Sequence, residues 1–409
     1  MKILCRICAS KNIESFLDLG VLALTGKYVD PGSEVDKHPL NLGKCLNCGL
    51  VQLMDSFRNV DLYGPGYGYE SHLNNSMKTH LQSTAKYIEK KFKPDIDDVI
   101  VDIASNDGTL LSGYSIECKK LVGIDPLINI FTNKYPTGVV KINEFFSKEA
   151  YFKNVPRKAK IITSFSVFYD LEDPINFALD VESIMEADGV WILEQSYFPM
   201  MINSLGFDTI CHEHLLYLSL NDFDKIFKQA GLEIFDAKIN NVNGGSIQLY
   251  VKKSTNFELL VSPYVEWLIN WENTSGVNSI ENCTFFANNV KNYSVKLRNL
   301  IESYKDLGYF IFGLGASTKG NVLLQYCNLG ELIEEIGEIN PKKFGKVTPG
   351  TNIPIVDQNM LLGYQNLKTK NRLGIIIPWH FRNSIIKSSE FYLSKGGSLL
   401  VPLPFPEII

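Results

Sequence analysis

Short apolar runs alternate with helically spaced segments through the middle of the chain. Within residues 74–91, Met77, Leu81, Ala85 and Ile88 recur on one helical face. Five apolar runs predict buried strands. One lies within residues 98–111, and the others are residues 121–125, 138–142, 159–164 and 189–194. Strand–helix alternation is typical of a parallel sheet covered by helices on both faces, so the sequence predicts a central α/β domain.

A second alternating region follows a mostly helical connector over residues 260–307. Its predicted strands begin at residue 309 and continue at residues 335–339, 373–378 and 397–402. In front of the central domain, residues 1–75 form a small, loop-rich segment with too little core to fold alone. The sequence therefore predicts three domains, at residues 1–75, 76–255 and 256–409, the last with a Rossmann-like α/β fold.

The composition is that of an ordinary globular protein, with 45% hydrophobic and 21% charged residues among 409. The net charge is -5 and no Lys/Arg-rich run stands out, so nucleic acid is not expected as the main partner. No apolar stretch reaches the roughly 18 residues that a membrane helix needs. The apolar part of the first residues is too short for a signal peptide, which makes a cytoplasmic location the default expectation.

Four of the eight cysteines form two CxxC pairs near the start of the chain, Cys5 with Cys8 and Cys45 with Cys48. Two such pairs can close tetrahedrally on one zinc ion, and Gly49 suits the tight turn after the second pair. Four sulfur ligands leave no open position, so this metal would be structural. The alternatives are a redox motif, which would need only one pair and a neighbouring βαβ unit, or plain buried thiols.

The first predicted strand of the central domain ends in the turn Asp102-Ile-Ala-Ser-Asn-Asp-Gly108, which resembles the nucleotide-binding turn of class I S-adenosylmethionine-dependent methyltransferases. A ligand of such a fold sits beyond the carboxyl ends of the parallel strands. Gly108 would let the backbone approach the methionine part of the cofactor, and Asp102 would hold the turn or meet the ammonium group. Asp125, at the end of the next strand, suits a carboxylate that accepts both ribose hydroxyls.

A Rossmann NAD site would show GxGxxG, whereas this turn contains one glycine. The alternative is an ordinary α/β turn with a capping aspartate. The candidate cofactor-binding residues are Asp102, Ser105, Asn106, Gly108, Asp125, Pro126, Asn143 and Ser164.

Two histidines flank a glutamate in Cys211-His212-Glu213-His214, within a chain that has only six histidines. A histidine has the near-neutral pKa that proton abstraction requires, so His214 is a candidate general base supported by Glu213 and His212. The HExxH spacing of a zinc protease is absent. The alternative is a polar surface turn.

Three further segments are candidates for substrate binding. The turn at residues 313–320 lacks the Walker spacing, which argues against an ATPase, but its backbone N–H groups and Lys319 could lie near a diphosphate. Asn243 opens a predicted tight turn before the strand at residues 247–251, and His380 and Arg382 belong to an aromatic and basic cluster. Tight packing alone would also explain each of these segments.

Taken in order, these segments resemble the sugar C-methyltransferases that act on nucleotide-linked deoxy-keto sugars. The segments that carry the resemblance are residues 5–8 with 18–20, 45–48, 67–71, 102–108, 212–214, 243–246, 313–316 with 319–320, and 349–350. The resemblance implies an amino-terminal zinc domain, a central domain that binds S-adenosylmethionine and a carboxy-terminal domain that helps to hold the nucleotide-sugar.

The same resemblance implies roles for individual residues. His214 would remove a proton from the carbon beside the ketone, commonly C-3 next to a C-4 ketone in this family, with help from Glu213 and from Tyr67 or Tyr69. An aromatic hydroxyl often stands in the family where this chain has Cys211. This departure bears on how the enolate is stabilised and on substrate preference.

The sequence thus predicts an enzyme that methylates the carbon of a nucleotide-linked keto-deoxysugar, using S-adenosylmethionine and a structural zinc, as a monomer or small homo-oligomer without nucleic-acid or membrane partners. One alternative is a methyltransferase of another small metabolite or of RNA, and the acidic net charge argues against RNA. A second alternative is a catalytically silent zinc-bearing binding module, against which the retained His214 and the turn at residues 102–108 both argue.

Overall fold

The computed structural model describes residues 3–57, 69–115, 120–363 and 371–409. The first of its three β-sheets starts in the amino-terminal segment, where β1 (Ile13–Ala23) and β2 (Lys37–Cys45) form an antiparallel hairpin and β3 (Val51–Leu53) pairs with β2. This segment is more regular than the predicted loop-rich domain. Two register shifts along β1 break the period-two alternation that would reveal a strand in the sequence.

The predicted helix before the central sheet is confirmed as α1 (Asn75–Phe92). Asn74 caps it by accepting hydrogen bonds from the backbone N–H groups of Ser76 and Met77. The four residues predicted to share one face, Met77, Leu81, Ala85 and Ile88, are all buried.

The predicted parallel strands of the central sheet are also confirmed. They are β4 (Val99–Ile103), β5 (Lys120–Ile124), β6 (Val140–Ile142), β7 (Ala159–Phe165) and β8 (Met185–Ser196). The helices of this region are α2 (Ile128–Phe131), α3 (Lys148–Asn154), α4 (Pro174–Ile184) and α5 (Phe198–Asn203).

The next strand, β9 (Leu216–Tyr217), leaves the central sheet and pairs with β3, which gives the first sheet the order β1-β2-β3-β9. After α6 (Leu220–Gln229), β10 (Leu232–Asn240) and β11 (Ser246–Lys253) return to the central sheet as an antiparallel hairpin beside β8. The central sheet has the order β10-β11-β8-β7-β4-β5-β6.

Two long helices, α7 (Pro263–Ser275) and α8 (Ile280–Asp306), form the predicted connector to the third sheet. The strands of that sheet are β12 (Phe310–Leu314), β13 (Glu335–Glu338), β14 (Ile355–Asp357), β15 (Arg372–Ile376), β16 (Ser398–Val401) and β17 (Glu407–Ile408). Its helices are α9 (Thr318–Tyr326), α10 (Gln358–Leu362), α11 (Arg382–Ser388) and α12 (Glu390–Ser394). The order is β14-β13-β12-β15-β16-β17, parallel except for β17.

The predicted fold class, two α/β sheets behind a small cysteine-bearing domain, is therefore confirmed. One buried apolar cluster contains residues from all three sheets, and a second lies under α1. The domain boundaries proposed from the sequence stay predictions, because β9 belongs to the first sheet although it lies within the predicted central domain. None of the helices in the described ranges is long and apolar enough to cross a bilayer.

Candidate active site and metal centre

The four paired cysteines bring their sulfur atoms together beside the first sheet. The Sγ atoms of Cys5 and Cys48 are 3.4 Å apart, those of Cys8 and Cys45 are 3.6 Å apart, and all four lie within 4.8 Å of one another. Zinc with Zn–S distances of about 2.3 Å separates the sulfur atoms of a regular tetrahedron by about 3.8 Å, so the set fits this ion. Gly49 follows the second pair with φ 93° and donates its N–H to the carbonyl of Cys45.

The turn after β4 is held by Tyr135 from the segment before β6. Its hydroxyl donates to the carbonyl of Asn106 at 2.7 Å and is 2.8 Å from Oγ of Ser105. Gly108 has φ 75°, and a Cβ there would lie 2.9 Å from the Tyr135 ring. The structure therefore gives Gly108 a packing reason in addition to the predicted approach of the cofactor.

Two carboxylates lie at the carboxyl ends of β4 and β5. Asp125 accepts hydrogen bonds from the backbone N–H groups of Leu127 at 2.7 Å and Asn106 at 3.0 Å, and Asp102 accepts one from Thr163. Burial raises the pKa of Asp102 to about 7, and the charges of Asp125 and Asp107 add to this effect. The negative charges of Asp102 and Asp125 therefore disfavour each other, and a positively charged ligand at this edge would relieve their repulsion.

The remaining candidate cofactor residues lie along the same sheet edge. Pro126 follows Asp125 directly. Asn143 follows β6 and accepts a hydrogen bond from the N–H of Asn129 at 2.8 Å. Ser164 is buried near the end of β7, where its hydroxyl accepts from Trp191 Nε1 at 2.8 Å.

Residues 69–72 tie the segment before α1 to this turn. The Asn106 side chain accepts from the N–H of Ser71 at 3.2 Å and donates to the carbonyl of Tyr69 at 3.3 Å. His72 Nδ1 lies 2.7 Å from a carboxylate oxygen of Asp107. The candidate Tyr67 lies outside the described residues.

The segment with the two histidines is a turn between the 3-10 helix Phe207–Thr209 and β9. It is buried rather than exposed, since His212, Glu213 and His214 are 0%, 6% and 8% accessible. The surface-turn alternative is therefore wrong for this segment. Three buried ionisable side chains in one turn indicate either packing against other elements or a catalytic role.

His214 is held in one tautomer by the backbone. Its Nδ1 lies 2.8 Å from the carbonyl of Thr209, which can only accept, so Nδ1 carries the proton and Nε2 keeps its lone pair. Burial, together with the positive charge of Lys319, lowers the pKa of His214 to about 3. The Tyr169 ring packs on the imidazole at a centroid distance of 4.2 Å. His214 is thus neutral near pH 7 and has an unprotonated nitrogen.

Glu213 and His212 face the amino-terminal domain. Glu213 accepts a hydrogen bond from Thr25 at 3.3 Å, and burial raises its pKa. His212 Nε2 lies 3.2 Å from the carbonyl of His38, and its ring packs edge-on against Phe57. In the described part of the chain no side-chain hydrogen bond joins either residue to His214.

Three of the four candidate substrate residues meet between the central and third sheets. Lys319 Nζ donates to the carbonyl of Asn243 at 3.3 Å, and burial together with Lys319 lowers the pKa of His380 well below its usual value. The fourth, Arg382, is exposed and pairs with Glu407 at 3.4 Å, so its guanidinium lies outside this group.

Sequence reasoning did not single out Tyr169 or Asp208 in this region, and it considered Trp379 only as a member of the cluster with His380 and Arg382. The Trp379 indole donates to Oδ2 of the buried Asp208 at 2.9 Å, which joins the third sheet to the histidine turn. Tyr169 follows β7, and its place after a parallel strand is a signal that could have indicated it. Asp208 and Trp379 carry no such signal, because their contact spans 171 residues of sequence.

Three family models match the chain in succession. A putative zinc binding domain matches residues 5–63, a methyltransferase domain matches residues 69–237, and a C-methyltransferase C-terminal domain matches residues 241–404. With the four-cysteine cluster, these matches confirm zinc and S-adenosylmethionine as the metal and the cofactor.

A curated relative, the C-methyltransferase NovU of Streptomyces niveus, is 26% identical over 412 residues, which cover 99% of this chain and 96% of the relative. Among solved structures, an S-adenosylmethionine-dependent methyltransferase from Clostridium acetobutylicum ATCC 824 is 13% identical and covers 43% of this chain and 92% of its own, with a TM-score of 0.35. The CcbJ methyltransferase from Streptomyces caelestis is 10% identical, with coverages of 42% and 89% and a TM-score of 0.34. These two solved structures match less than half of the chain, so they support no conclusion about its activity.

Proposed function

We propose that this chain, which belongs to the zinc-containing sugar C-methyltransferase family and is an S-adenosylmethionine-dependent C-methyltransferase, methylates the carbon beside the ketone of a nucleotide-linked keto-deoxysugar. The observation that carries the proposal is the single tautomer of His214, which leaves Nε2 unprotonated and able to accept a proton. Tyr169, whose ring packs on His214, follows β7, and β7 pairs with the strand that leads into the turn at residues 102–108. Base and cofactor turn thus lie at one sheet edge.

The chemistry needs a base because carbon is a poor nucleophile until it becomes an enolate. A ketone makes the neighbouring C–H acidic, and a positioned base contributes roughly 10²–10⁴-fold. His214 Nε2 takes this proton while Nδ1 keeps its hydrogen bond to Thr209. S-adenosylmethionine, when bound, supplies the electrophilic methyl group. The low pKa of free His214 is offset during the reaction, because the enolate places a negative charge beside the new imidazolium.

The other candidate residues take supporting roles in this proposal. Asn243, Lys319 and His380 bind the nucleotide-sugar from the side of the third sheet, where Lys319 suits a diphosphate. Glu213 and His212 act as positioning residues, because their contacts with Thr25 and His38 hold the turn against the amino-terminal domain. Tyr69 lies close to the cofactor turn through its backbone.

A panel of nucleotide-linked sugars tests the substrate class. Keto-deoxysugars incubated with methyl-labelled S-adenosylmethionine are expected to gain the label on the carbon beside the ketone, detected by NMR. The matched control is the same sugar with its ketone reduced to a hydroxyl, which cannot enolise. Equal methylation of the reduced sugar, or label on oxygen or nitrogen of another metabolite, would contradict the proposal. Absence of cofactor binding by calorimetry would favour the silent binding module.

Replacing Asp125 with alanine is expected to weaken S-adenosylmethionine binding. Loss of a charge-assisted hydrogen bond costs about 1.5–3 kcal/mol, or roughly ten- to a hundredfold in affinity. Calorimetric titration measures the change. Glu338 ends β13 in the third sheet and accepts the N–H of Ala316, as Asp125 accepts that of Asn106. A Glu338→Gln control should keep wild-type affinity, and unchanged affinity in Asp125→Ala would show that the cofactor binds elsewhere.

Cofactor affinity is expected to increase with pH up to about 8. The buried Asp102 has its pKa raised to about 7, so below that pH it is protonated and offers no charge to the cationic cofactor. Binding then releases a proton, and the dissociation constant should fall as pH rises from 6 to 7 and level off above 8. Titrations at these pH values in wild type and Asp102→Asn isolate the effect. The same pH dependence in both proteins would exclude Asp102 as its source.

A further inference from the structure

A small, partly enclosed cavity lies beside the proposed base and has room for about one water-sized group. Residues from the ends of β7 and β8 and from the histidine turn line it, among them Tyr169, Ser196, Tyr197, Thr209, His214 and Tyr217. A nucleotide-sugar cannot enter a space of this size, but a single oxygen atom of one can. The cavity therefore suits a group that projects from a larger ligand.

Two hydroxyl groups of the cavity wall are buried without an acceptor. Among the described residues, neither Oγ of Ser196 nor the hydroxyl of Tyr217 donates a hydrogen bond, although the backbone N–H of Cys211 lies near the Tyr217 oxygen. Tyr197 lines the same wall, but its hydroxyl donates to Glu272 and is satisfied. Buried polar groups in folded proteins usually have partners, so two unpartnered hydroxyls in one cavity indicate that a ligand atom completes them.

We propose that this cavity receives the ketone oxygen of the substrate and that the hydroxyls of Tyr217 and Ser196 donate hydrogen bonds to it as it becomes an enolate oxygen. The inference rests on the proposed function. The substrate proton passes to Nε2 of His214, the C–H bonding pair becomes the new C=C bond, and the C=O π pair moves onto the oxygen. Donors fixed at the atom where charge develops stabilise that state more than the ground state.

The position and chemistry of Tyr217 support this role. It lies on β9, directly after the histidine turn, and Val51 of β3 pairs with it, so the same backbone holds both His214 and Tyr217. Burial raises the pKa of Tyr217 well above its usual 10, and the nearby Cys211 and Asp170 add to this. The hydroxyl is therefore protonated near pH 7 and can donate. The buried thiol of Cys211 is not among the groups that line this cavity.

Tyr217→Phe tests the proposal because it removes the hydroxyl and keeps the ring. Loss of one such donor is expected to lower kcat by about 10²–10³-fold, with KM and cofactor affinity nearly unchanged. Exchange of the substrate α-proton in deuterated water should fall in parallel. The melting temperature should fall little, because the lost hydroxyl donates to no described group. A structural hydroxyl would give the opposite pattern, with lower stability and preserved turnover.

Tyr114→Phe is the matched control, since the Tyr114 hydroxyl is also buried without a described partner but lies in the core under α1. It should keep wild-type kcat. If Tyr217→Phe fails to fold, Ser196→Ala tests the proposal instead. Its kcat and its rate of α-proton exchange are expected to fall about tenfold or more.

The outcomes separate this inference from the function on which it rests. Wild-type kcat and exchange in both Tyr217→Phe and Ser196→Ala, while the wild-type enzyme methylates a keto sugar, would overturn the oxygen site alone and leave the cavity a place for a structural water. If the wild-type enzyme neither exchanges nor methylates any keto sugar, the proposed function fails and this inference fails with it.

Discussion

A His214→Asn enzyme is expected to bind cofactor and nucleotide-sugar almost as tightly as the wild type and to turn over about 10²–10⁴-fold more slowly. Asparagine keeps the polarity and approximate size of histidine but has no basic nitrogen. In the native site Nδ1 is committed to Thr209, so Nε2 is the nitrogen that this change removes from the reaction. Single-turnover methyl transfer and α-proton exchange in deuterated water measure the loss, with calorimetry for both ligands.

His212→Asn separates the base from the turn that carries it. His212 packs on Phe57 and His38, so its replacement is expected to lower thermal stability and to affect kcat far less than His214→Asn. Wild-type turnover in His214→Asn would contradict the assignment of the base. The proton would then leave by another route, with His212 or a hydroxyl of Tyr67 or Tyr69 as the next candidates.

Removal of zinc is expected to abolish turnover although the four cysteines bind no substrate. β3 follows Cys48 closely and pairs with β9, and the N–H of Leu53 donates to the carbonyl of Leu215, next to His214. Structural zinc sites supply about 10–16 kcal/mol of apparent binding energy, so the small first sheet should unfold without the metal. The turn with His214 and Tyr217 would lose its support, while the cofactor turn on the central sheet would keep its own contacts.

Metal analysis of protein purified without chelator should give one zinc per chain, and Cys45→Ser should lose it. The variant is expected to lose kcat and thermal stability and to retain cofactor binding within about tenfold, a limit of roughly 1.4 kcal/mol. Cys283→Ser is the matched control, because Cys283 is buried in α8 and is not one of the four clustered cysteines, so this variant should keep full zinc. A Cys45→Ser protein with full zinc and full stability would disprove the predicted ligand set.

The sequence determined those features whose cause is local or periodic. The 3.6-residue spacing of Met77, Leu81, Ala85 and Ile88 predicts α1, and the apolar runs predict the parallel strands of both large sheets except β14. The CxxC spacing brings the two thiols of a pair together independently of the rest of the fold. Two such pairs at the start of the chain therefore predict a site for one zinc ion. A strand followed by the turn from Asp102 to Gly108 likewise predicts a ligand at the sheet edge, since both belong to one continuous segment.

Only the tertiary structure decided what each residue of the histidine turn faces. His212, Glu213 and His214 are neighbours in sequence, but the first two contact the amino-terminal domain and the third lines a cavity at the central sheet. The pairing of β9 with β3 joins residues more than 160 positions apart. A strand of two residues is too short to show a periodic pattern, so the sequence does not predict this pairing. The tautomer of His214, the burial of the histidine turn and the unpartnered hydroxyls of the cavity depend on such distant contacts. Each of them is set by the atoms that the folded chain brings next to that side chain.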